Sequence, residues 1–190
     1  ESVFICVHLW FNIPMIPVHL KLSGFLSYHD PVEIDFSTFD LACISGHNGA
    51  GKSSLLDAIT WALFGQARKR DESLINTHKD VKAAEVIFDF EYEGNTYRVQ
   101  RSLTRGKGSM LEFQIQDGLG WRPLTERTLR DTQARIESIL RLDYETFINA
   151  AFFLQGKADQ FAQQTASKRK DILGSILGLE TWEIYKERPA

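Results

Sequence analysis

The chain has 190 residues, of which 43% are hydrophobic and 25% charged, so it can bury the core of one ordinary domain. We therefore expect a soluble α/β protein without low-complexity segments. The formal net charge of -3 argues against wholesale binding of a polyanion, so any contact with nucleic acid must depend on local basic clusters.

Residues 1–14 are apolar but do not resemble a targeting signal. They lack the basic start and the small-residue cleavage site of a secretory leader, and Pro14 and Pro17 interrupt any membrane-spanning helix. Met15 fits the natural translation start of the protein. We expect residues 1–14 to be upstream or non-native sequence, with an extra edge strand as the alternative, and we expect no membrane partner.

Short apolar segments predict three β-strands in the first quarter of the chain. Residues 18–26 alternate as a first strand, and residues 32–36 alternate as the return strand after a turn. The third strand, residues 41–44, is apolar and contains Cys43. Cys6 is the only other cysteine, and because Cys43 lies in an apolar strand we predict a free, buried Cys43 thiol in a reducing, cytoplasmic environment rather than a disulfide.

Residues 46–54, GHNGAGKSS, have a glycine, four residues and then Gly-Lys-Ser, as a phosphate-binding loop requires. Its glycines allow positive φ angles, so that successive N–H groups converge on phosphate oxygens. The loop follows an apolar strand and opens a predicted helix over residues 53–64, whose positive end faces the same anion, and Gly65 is a natural stop. The alternative is a glycine-rich turn that happens to precede a helix.

Each residue of this loop has an expected task. The backbone N–H groups of residues 48–52 cradle the β-phosphate, and the Lys52 ammonium reaches the β and γ oxygens as a point charge. The Ser53 hydroxyl is expected to bind Mg²⁺, and the Ser54 backbone and hydroxyl to lie near the α-phosphate. The predicted nucleotide-binding residues are Asn48, Gly49, Ala50, Gly51, Lys52, Ser53 and Ser54.

The middle of the chain predicts an antiparallel meander. Residues 66–72 are a charged connection, interpreted as a solvated loop, with a basic contact to nucleotide or DNA as the alternative. Residues 85–93 then alternate cleanly, with Asp89 on the polar face, and two further strands follow at residues 97–103 and 111–115. Glycine-containing turns connect these strands.

Helices are predicted in the last third of the chain. Thr128 and Asp131 have the spacing of a capping box, and the residues that follow them are apolar at helical spacing. A last helix is predicted from Ser167, and its apolar residues at spacings of three and four could seed a coiled coil. Residues 143–154, between the two, are not assigned to a helix.

The phosphate loop and a second motif together make a family resemblance specific. GHNGAGKSSLLDAITWALFG, preceded by FLSYHDPVEIDF and followed after a long insertion by FFLQGKADQF, resembles the N-terminal ATPase lobe of the SbcC-type DNA double-strand-break repair ATPases, which are related to the SMC chromosome proteins. The resemblance implies an α/β P-loop NTPase fold, lobe I of an ABC-type ATPase head, with an antiparallel β-meander and flanking helices over residues 15–166. Residues 167–190 would then lead into a coiled coil.

The resemblance implies ATP and Mg²⁺ as cofactors and adds one residue to the site. Gln155 matches the glutamine of the family's Q-loop, which touches Mg²⁺ and the water that attacks the γ-phosphate. Lys52 and Gln155 are therefore the expected catalytic residues, and Ser53 and Gln155 the expected metal ligands. The alternative for Gln155 is an ordinary loop glutamine.

The family's Walker B acid pair, signature loop and switch histidine have no match in this chain. Residues 86–89 end in an aspartate, but Phe90 follows it in place of a second acid. We therefore expect half a catalytic site, in a truncated or partial chain that is inactive alone. The resemblance implies that ATP hydrolysis needs the C-terminal ATPase lobe of the same protein, that ATP binding makes a homodimer, and that the complex works with an SbcD- or Mre-type nuclease on double-stranded DNA.

Two other functions stay open at the sequence level. The nucleotide-binding part of an ABC transporter is one, although the stretch between Lys52 and Gln155 is long for that class. A nucleotide-binding module without turnover is the other.

Two basic clusters are either DNA contacts or solvated surface: one is Arg101, Arg105 and Lys107, and the other is the run 168–170. No metal-ligand spacing, and hence no zinc site, is predicted among His29, His47 and His78.

Overall fold

The computed structural model describes residues 3–5, 15–39, 41–151, 165–167 and 169–170. Residues 1–137 form one compact unit and residues 138–190 a second. The strands are β1 (Val3–Ile5), β2 (Ile16–Ser23), β3 (Val32–Asp35), β4 (Ala42–Ile44), β5 (Ala83–Tyr92), β6 (Asn95–Thr104), β7 (Gly108–Asp117) and β8 (Gly120–Pro123). The α-helices are α1 (Lys52–Phe64), α2 (Leu129–Leu140) and α3 (Tyr144–Ala151), with short 3-10 helices at Phe36–Thr38 and Asp71–Leu74.

The largest layer of the first unit is a six-stranded antiparallel sheet in the order β3-β2-β5-β6-β7-β8. Its register places Phe88 opposite Val99 and Val99 opposite Phe113. Side chains that lie directly opposite each other on neighbouring strands share one face of the sheet, and all three of these side chains are fully buried. The predicted antiparallel meander is therefore confirmed, and β2 and β3 extend it on one side.

The polar face of β5 differs from the sequence prediction at Asp89, which is only 5% exposed. Both carboxylate oxygens accept hydrogen bonds from the Arg98 guanidinium, at 2.7 and 2.6 Å. The same guanidinium lies 4.1 Å from the centre of the Trp121 ring. The Arg98 side chain from β6 thus pairs with Asp89 and stacks on Trp121 of β8, and alternation alone predicts the orientation of Asp89 but not its burial.

Strands β1 and β4 pair with each other in a separate two-stranded antiparallel sheet, with Val3 opposite Ile44. This pairing is the edge-strand alternative named for the first residues, whereas a non-native origin of residues 1–14 stays a prediction. The predicted burial of Cys43 is wrong, because its side chain is exposed. Cys43 lies between two half-buried neighbours and so points to the opposite, open face of this narrow sheet.

Helix α1 is the apolar centre of the first unit. Every side chain from Ser54 to Phe64 is buried, so the helix is enclosed on all sides rather than along one predicted stripe. The Trp61 ring packs against Phe25 with ring centres 5.2 Å apart. The helix ends as predicted at Gly65, which has a φ of 69° and donates its N–H to the Trp61 carbonyl at 2.8 Å.

Arg101 closes the end of α1, and its burial fits neither of the two alternatives stated for it, a DNA contact or solvated surface. Its side chain is 4% exposed, donates from Nε to the Ala62 carbonyl at 3.2 Å and from a terminal nitrogen to Gln133 Oε1 at 2.5 Å. Burial lowers the pKa of Arg101 to about 10, so the group stays protonated at neutral pH. An enclosed guanidinium that already bonds to α1 and α2 cannot meet a DNA phosphate.

The Thr128 half of the predicted capping box at the start of α2 is confirmed. Thr128 Oγ1 accepts the N–H of Asp131 at 3.1 Å and donates to its carboxylate at 2.7 Å. Helix α3, which the sequence did not predict, begins where Asp143 Oδ1 accepts the N–H of Thr146 at 2.7 Å. Residues 166–167 and 169–170, at the start of the helix predicted from Ser167, are helical, and the coiled-coil prediction lies outside the described residues.

In the part of the chain that the structure describes, no helix combines the length and apolar character needed to cross a membrane.

The buried ring of Phe113 gives a test of the sheet core. We expect Phe113→Ala to lower the free energy of unfolding by about 3 to 5 kcal/mol, because it removes a fully buried aromatic side chain and leaves a cavity. The matched control on the same strand is Met110→Ala, whose side chain is 61% exposed, with an expected change within about 0.5 kcal/mol. Urea denaturation of both variants measures the difference, and equal losses would contradict this packing.

Candidate functional site

The predicted phosphate loop lies between β4 and α1 and adopts the required backbone geometry. Gly49 has a φ of 86° and Gly51 a φ of 90°, both in the left-handed region that glycine reaches without strain. Gly51 is the N-cap of α1, so the chain turns directly from the loop into the helix. The loop therefore stands at the positive end of a helix whose body is buried.

The first turn of α1 presents backbone donors to the loop. The first amide to bond back is that of Ser54, which donates to the Gly51 carbonyl at 2.9 Å, and Leu55 donates to the same oxygen at 3.2 Å. The N–H groups of Lys52 and Ser53 precede these bonds and are the helix-terminal donors that an anion can accept from. This geometry suits an oxyanion such as a phosphate.

The Lys52 ammonium is held across the loop. Its Nζ donates to the Gly46 carbonyl at 2.6 Å and to the His47 carbonyl at 3.0 Å. The side chain is only half-buried, so the charge is accessible from solvent. A phosphate entering the loop can accept hydrogen bonds from the same ammonium, because an ionised oxygen is a stronger acceptor than a carbonyl.

Two residues that the sequence did not assign to the site, Ser27 and Tyr28, contact the end of the loop and the first turn of α1. Tyr28 donates its hydroxyl to the Gly51 carbonyl at 3.3 Å, and burial raises the pKa of this tyrosine. Ser27 Oγ lies 3.2 Å from Ser54 Oγ. A Cβ on Gly51 would lie 3.2 Å from the Ser27 Cβ, so this position needs glycine for close packing as well as for its φ angle. No local pattern could have revealed these contacts, since they join positions more than twenty residues apart.

The loop after α1 is attached to the helix by an ion pair. Asp57 is 5% exposed, and its carboxylate accepts the backbone N–H of Arg68 at 3.2 Å and the Arg68 Nε–H at 2.5 Å. A buried carboxylate needs such a partner, because desolvation of an unpaired charge is costly. Arg68 thereby anchors the start of the charged segment 66–72, the rest of which is largely exposed, as predicted for a solvated loop.

The structure brings all the predicted loop residues, Asn48 to Ser54, into one turn, and it buries Ser54 while leaving Ser53 half-buried. Gln155, the expected partner of Ser53 in metal binding, lies outside the described residues. Asp89, which ends the apolar run 86–89, has both oxygens bound to Arg98, in agreement with its dismissal as a Walker B acid.

Known proteins are similar in sequence to most of this chain. An AAA domain family model matches residues 19–187. The SbcC component of the nuclease SbcCD from Deinococcus radiodurans is 32% identical over 172 residues, which cover 87% of this chain and 19% of that protein. The DNA double-strand break repair Rad50 ATPase of Thermoplasma acidophilum is 36% identical over 181 residues, which cover 91% of this chain and 19% of that protein. The chain thus spans about a fifth of the length of both relatives.

A solved structure, the SMC head domain from Thermotoga maritima, is also similar. It has 25% sequence identity and a TM-score of 0.41, and the match covers 63% of this chain and 41% of that one.

The close approach at Gly51 gives a prediction about stability. We expect Gly51→Ala to lower the free energy of unfolding by more than the roughly 1 to 2 kcal/mol of a left-handed alanine, because the new methyl group also crowds Ser27 and Tyr28. Gly118→Ala is the matched control, since Gly118 has a φ of 60° with no atom near its ideal Cβ. Denaturant unfolding of the two variants measures the difference, and equal losses would show that the loop is not packed against residues 27–28.

Proposed function

The chain belongs to the AAA domain family, and we propose that it is the N-terminal ATP-binding lobe of an SbcC-type DNA double-strand-break repair ATPase. In this proposal the lobe binds ATP with Mg²⁺ and forms one half of a hydrolytic site. The relatives named above are described as a nuclease component and as a DNA repair ATPase, and 32% and 36% identity over most of this chain supports extending these descriptions to it.

The observation that carries the proposal is the position of the Lys52 ammonium. It lies within hydrogen-bonding distance of two loop carbonyls at the end of the helix where the backbone donors point outward. A triphosphate in this loop would be surrounded by one full positive charge, by the loop N–H groups and by the helix dipole. All three favour a highly charged anion over a neutral ligand.

The magnesium ion would be bound at the first turn of α1. Ser53 has a hydroxyl oxygen one residue after Lys52, and Mg²⁺ prefers oxygen ligands while keeping several waters and the nucleotide phosphates in its shell. In our proposal Gln155 supplies a second protein oxygen and contacts the attacking water. Its place in the sequence after FFL supports this role only through the family resemblance.

Hydrolysis would require a second lobe. The chain offers Lys52 and Ser53 for charge stabilisation and metal binding, whereas the general base would come from the C-terminal ATPase lobe of the same protein. In the full assembly two heads would enclose two ATP molecules, and the dimer would close on binding and open on hydrolysis. ATP can shift this equilibrium only through contacts that exist in the closed state alone.

The proposal also includes two partners, a nuclease and double-stranded DNA. An SbcD- or Mre-type nuclease would be regulated by head closure at double-strand ends, in the cytoplasm. Among the basic residues first considered for DNA contact, Arg105 and Lys107 are exposed at the turn between β6 and β7. Together with Arg169 and Lys170, which are also exposed, they are the candidates that burial leaves available, since Arg101 is enclosed.

Substitution of Lys52 tests the nucleotide site. We expect Lys52→Ala to weaken ATP binding at least about tenfold, because a charged hydrogen bond to phosphate contributes about 1.5 to 3 kcal/mol. The fold should be kept, with an unfolding free energy within about 0.5 kcal/mol of the parent, because Lys52 is not part of the core. Calorimetry measures binding, and Lys82→Ala removes an exposed lysine as the matched control. Undiminished ATP affinity in Lys52→Ala would overturn the site.

A reconstitution experiment tests the need for the second lobe. We expect the chain alone to hydrolyse ATP poorly or not at all, and a separately expressed C-terminal lobe to restore turnover, because the general base is supplied by that lobe. Phosphate release under saturating ATP and Mg²⁺ measures the rate. Chain carrying Lys52→Ala should remain inactive in the same mixture, and rapid hydrolysis by the parent chain alone would refute the half-site proposal.

A further inference from the structure

A cluster of metal-ligand side chains lies outside the phosphate loop, on two loops that come together in space. His29 follows β2, whereas His78 and Asp80 precede β5. We propose that His29, His78 and Asp80 form a binding site for a divalent transition-metal ion, with zinc as the best-fitting metal. The sequence predicted no such site, because its histidines are about fifty residues apart.

The three ligand atoms already converge. Asp80 Oδ2 lies 3.1 Å from His29 Nε2, and Asp80 Oδ1 is hydrogen-bonded to His78 Nδ1. All three ligand atoms lie within 4.8 Å of one another. Zinc binds imidazole nitrogen and carboxylate oxygen at about 2.0 to 2.2 Å, which sets tetrahedral ligand atoms roughly 3.3 to 3.6 Å apart. Small side-chain rotations therefore suffice to place one ion between them.

Asp30 supplies the outer-shell contact that metal-binding histidines commonly have. Its Oδ1 lies 2.8 Å from His29 Nδ1, the ring nitrogen on the far side from Asp80. A proton on Nδ1 donated to Asp30 leaves the Nε2 lone pair for a metal. The carboxylate also fixes the orientation of the imidazole ring, so this ligand is positioned before an ion arrives.

The backbone holds the two loops together independently of any ion. Asn76 donates its side-chain amide to the Leu26 carbonyl at 2.7 Å and its backbone N–H to the Gly24 carbonyl at 2.8 Å. Its side-chain oxygen accepts the N–H of His78 at 2.9 Å. One residue therefore connects the loop that carries His29 to the loop that carries the other two ligands, and the ligands are preorganised.

The donor set decides which ion fits. Two imidazoles and one carboxylate suit zinc and its neighbours in the first transition row, whereas Mg²⁺ prefers an all-oxygen shell. The three side chains are 39%, 68% and 63% exposed for His29, His78 and Asp80, which leaves space for a water as the fourth ligand.

The site would brace the segment that supports the phosphate loop. Ser27 and Tyr28, which contact Ser54 and Gly51, immediately precede His29. An ion bound to His29 and to the 78–80 loop would hold this segment from its far end. Zinc that binds the folded state and not the unfolded state should therefore raise the melting temperature of the chain.

Zinc titration of the chain without an affinity tag, in nucleotide-free buffer, tests the proposal. We expect one ion per chain by calorimetry, a rise in melting temperature, and X-ray absorption showing nitrogen ligands at about 2.0 to 2.1 Å. Excess Mg²⁺ should not displace the zinc. His78→Ala and Asp80→Asn should each abolish the one-to-one binding, and Asp30→Asn should weaken it about 10- to 100-fold through the outer shell.

Matched variants separate this site from other histidines and from the nucleotide site. His19→Gln changes a strand histidine outside the cluster and should bind zinc like the parent. Lys52→Ala should also keep zinc binding, so failure of the phosphate loop would not imitate failure of this site. Because the side chains of Asp30, His78 and Asp80 are exposed, the metal-free melting temperatures of the three variants at these positions should match the parent and confirm folding. Absence of one-to-one binding, or equal binding by His78→Ala and Asp80→Asn, would show that the cluster is only an ion-paired network.

Discussion

Helix α1 must be buried along its body and open at its first turn, and the rest of the described structure is arranged around this constraint. Burial from Ser54 to Phe64 removes the helix from water, so its internal polar groups need partners within the protein. Arg68 satisfies the carboxylate of Asp57, and the Thr60 hydroxyl bonds to a carbonyl of the same helix. No buried side-chain polar atom in the described residues is left without a hydrogen bond. Within α1, the donors that face the phosphate loop are the backbone N–H groups of its first turn.

Three arginines in the first unit connect its elements through hydrogen bonds. Arg68 ties a loop to α1, Arg98 neutralises Asp89 on the sheet, and Arg101 joins α1 to α2 through Ala62 and Gln133. A planar guanidinium with several donors can bridge such groups where a lysine would leave some of them unsatisfied. In a chain of net charge -3, these internal uses further reduce the basic residues free for a polyanion.

The segment 24–30 links the two sites discussed here. Phe25 packs on Trp61 of α1, Ser27 and Tyr28 contact the start of that helix, and His29 belongs to the proposed metal cluster. Its shape depends on hydrogen bonds to the 74–76 stretch rather than on regular secondary structure. A ligand at either site would therefore lie next to the same short piece of backbone.

The sequence by itself determined the features that arise from neighbouring residues: the phosphate loop with its glycines, the extent of α1 and its stop at Gly65, the antiparallel meander and the Thr128 cap of α2. Local backbone preferences and alternation encode all of these. Only the tertiary structure decided the burial of Arg101 and Asp89, the exposure of Cys43, and the meeting of His29 with His78. These depend on which distant side chains cover or face each residue, and a periodic pattern specifies a face of an element without specifying what lies against it.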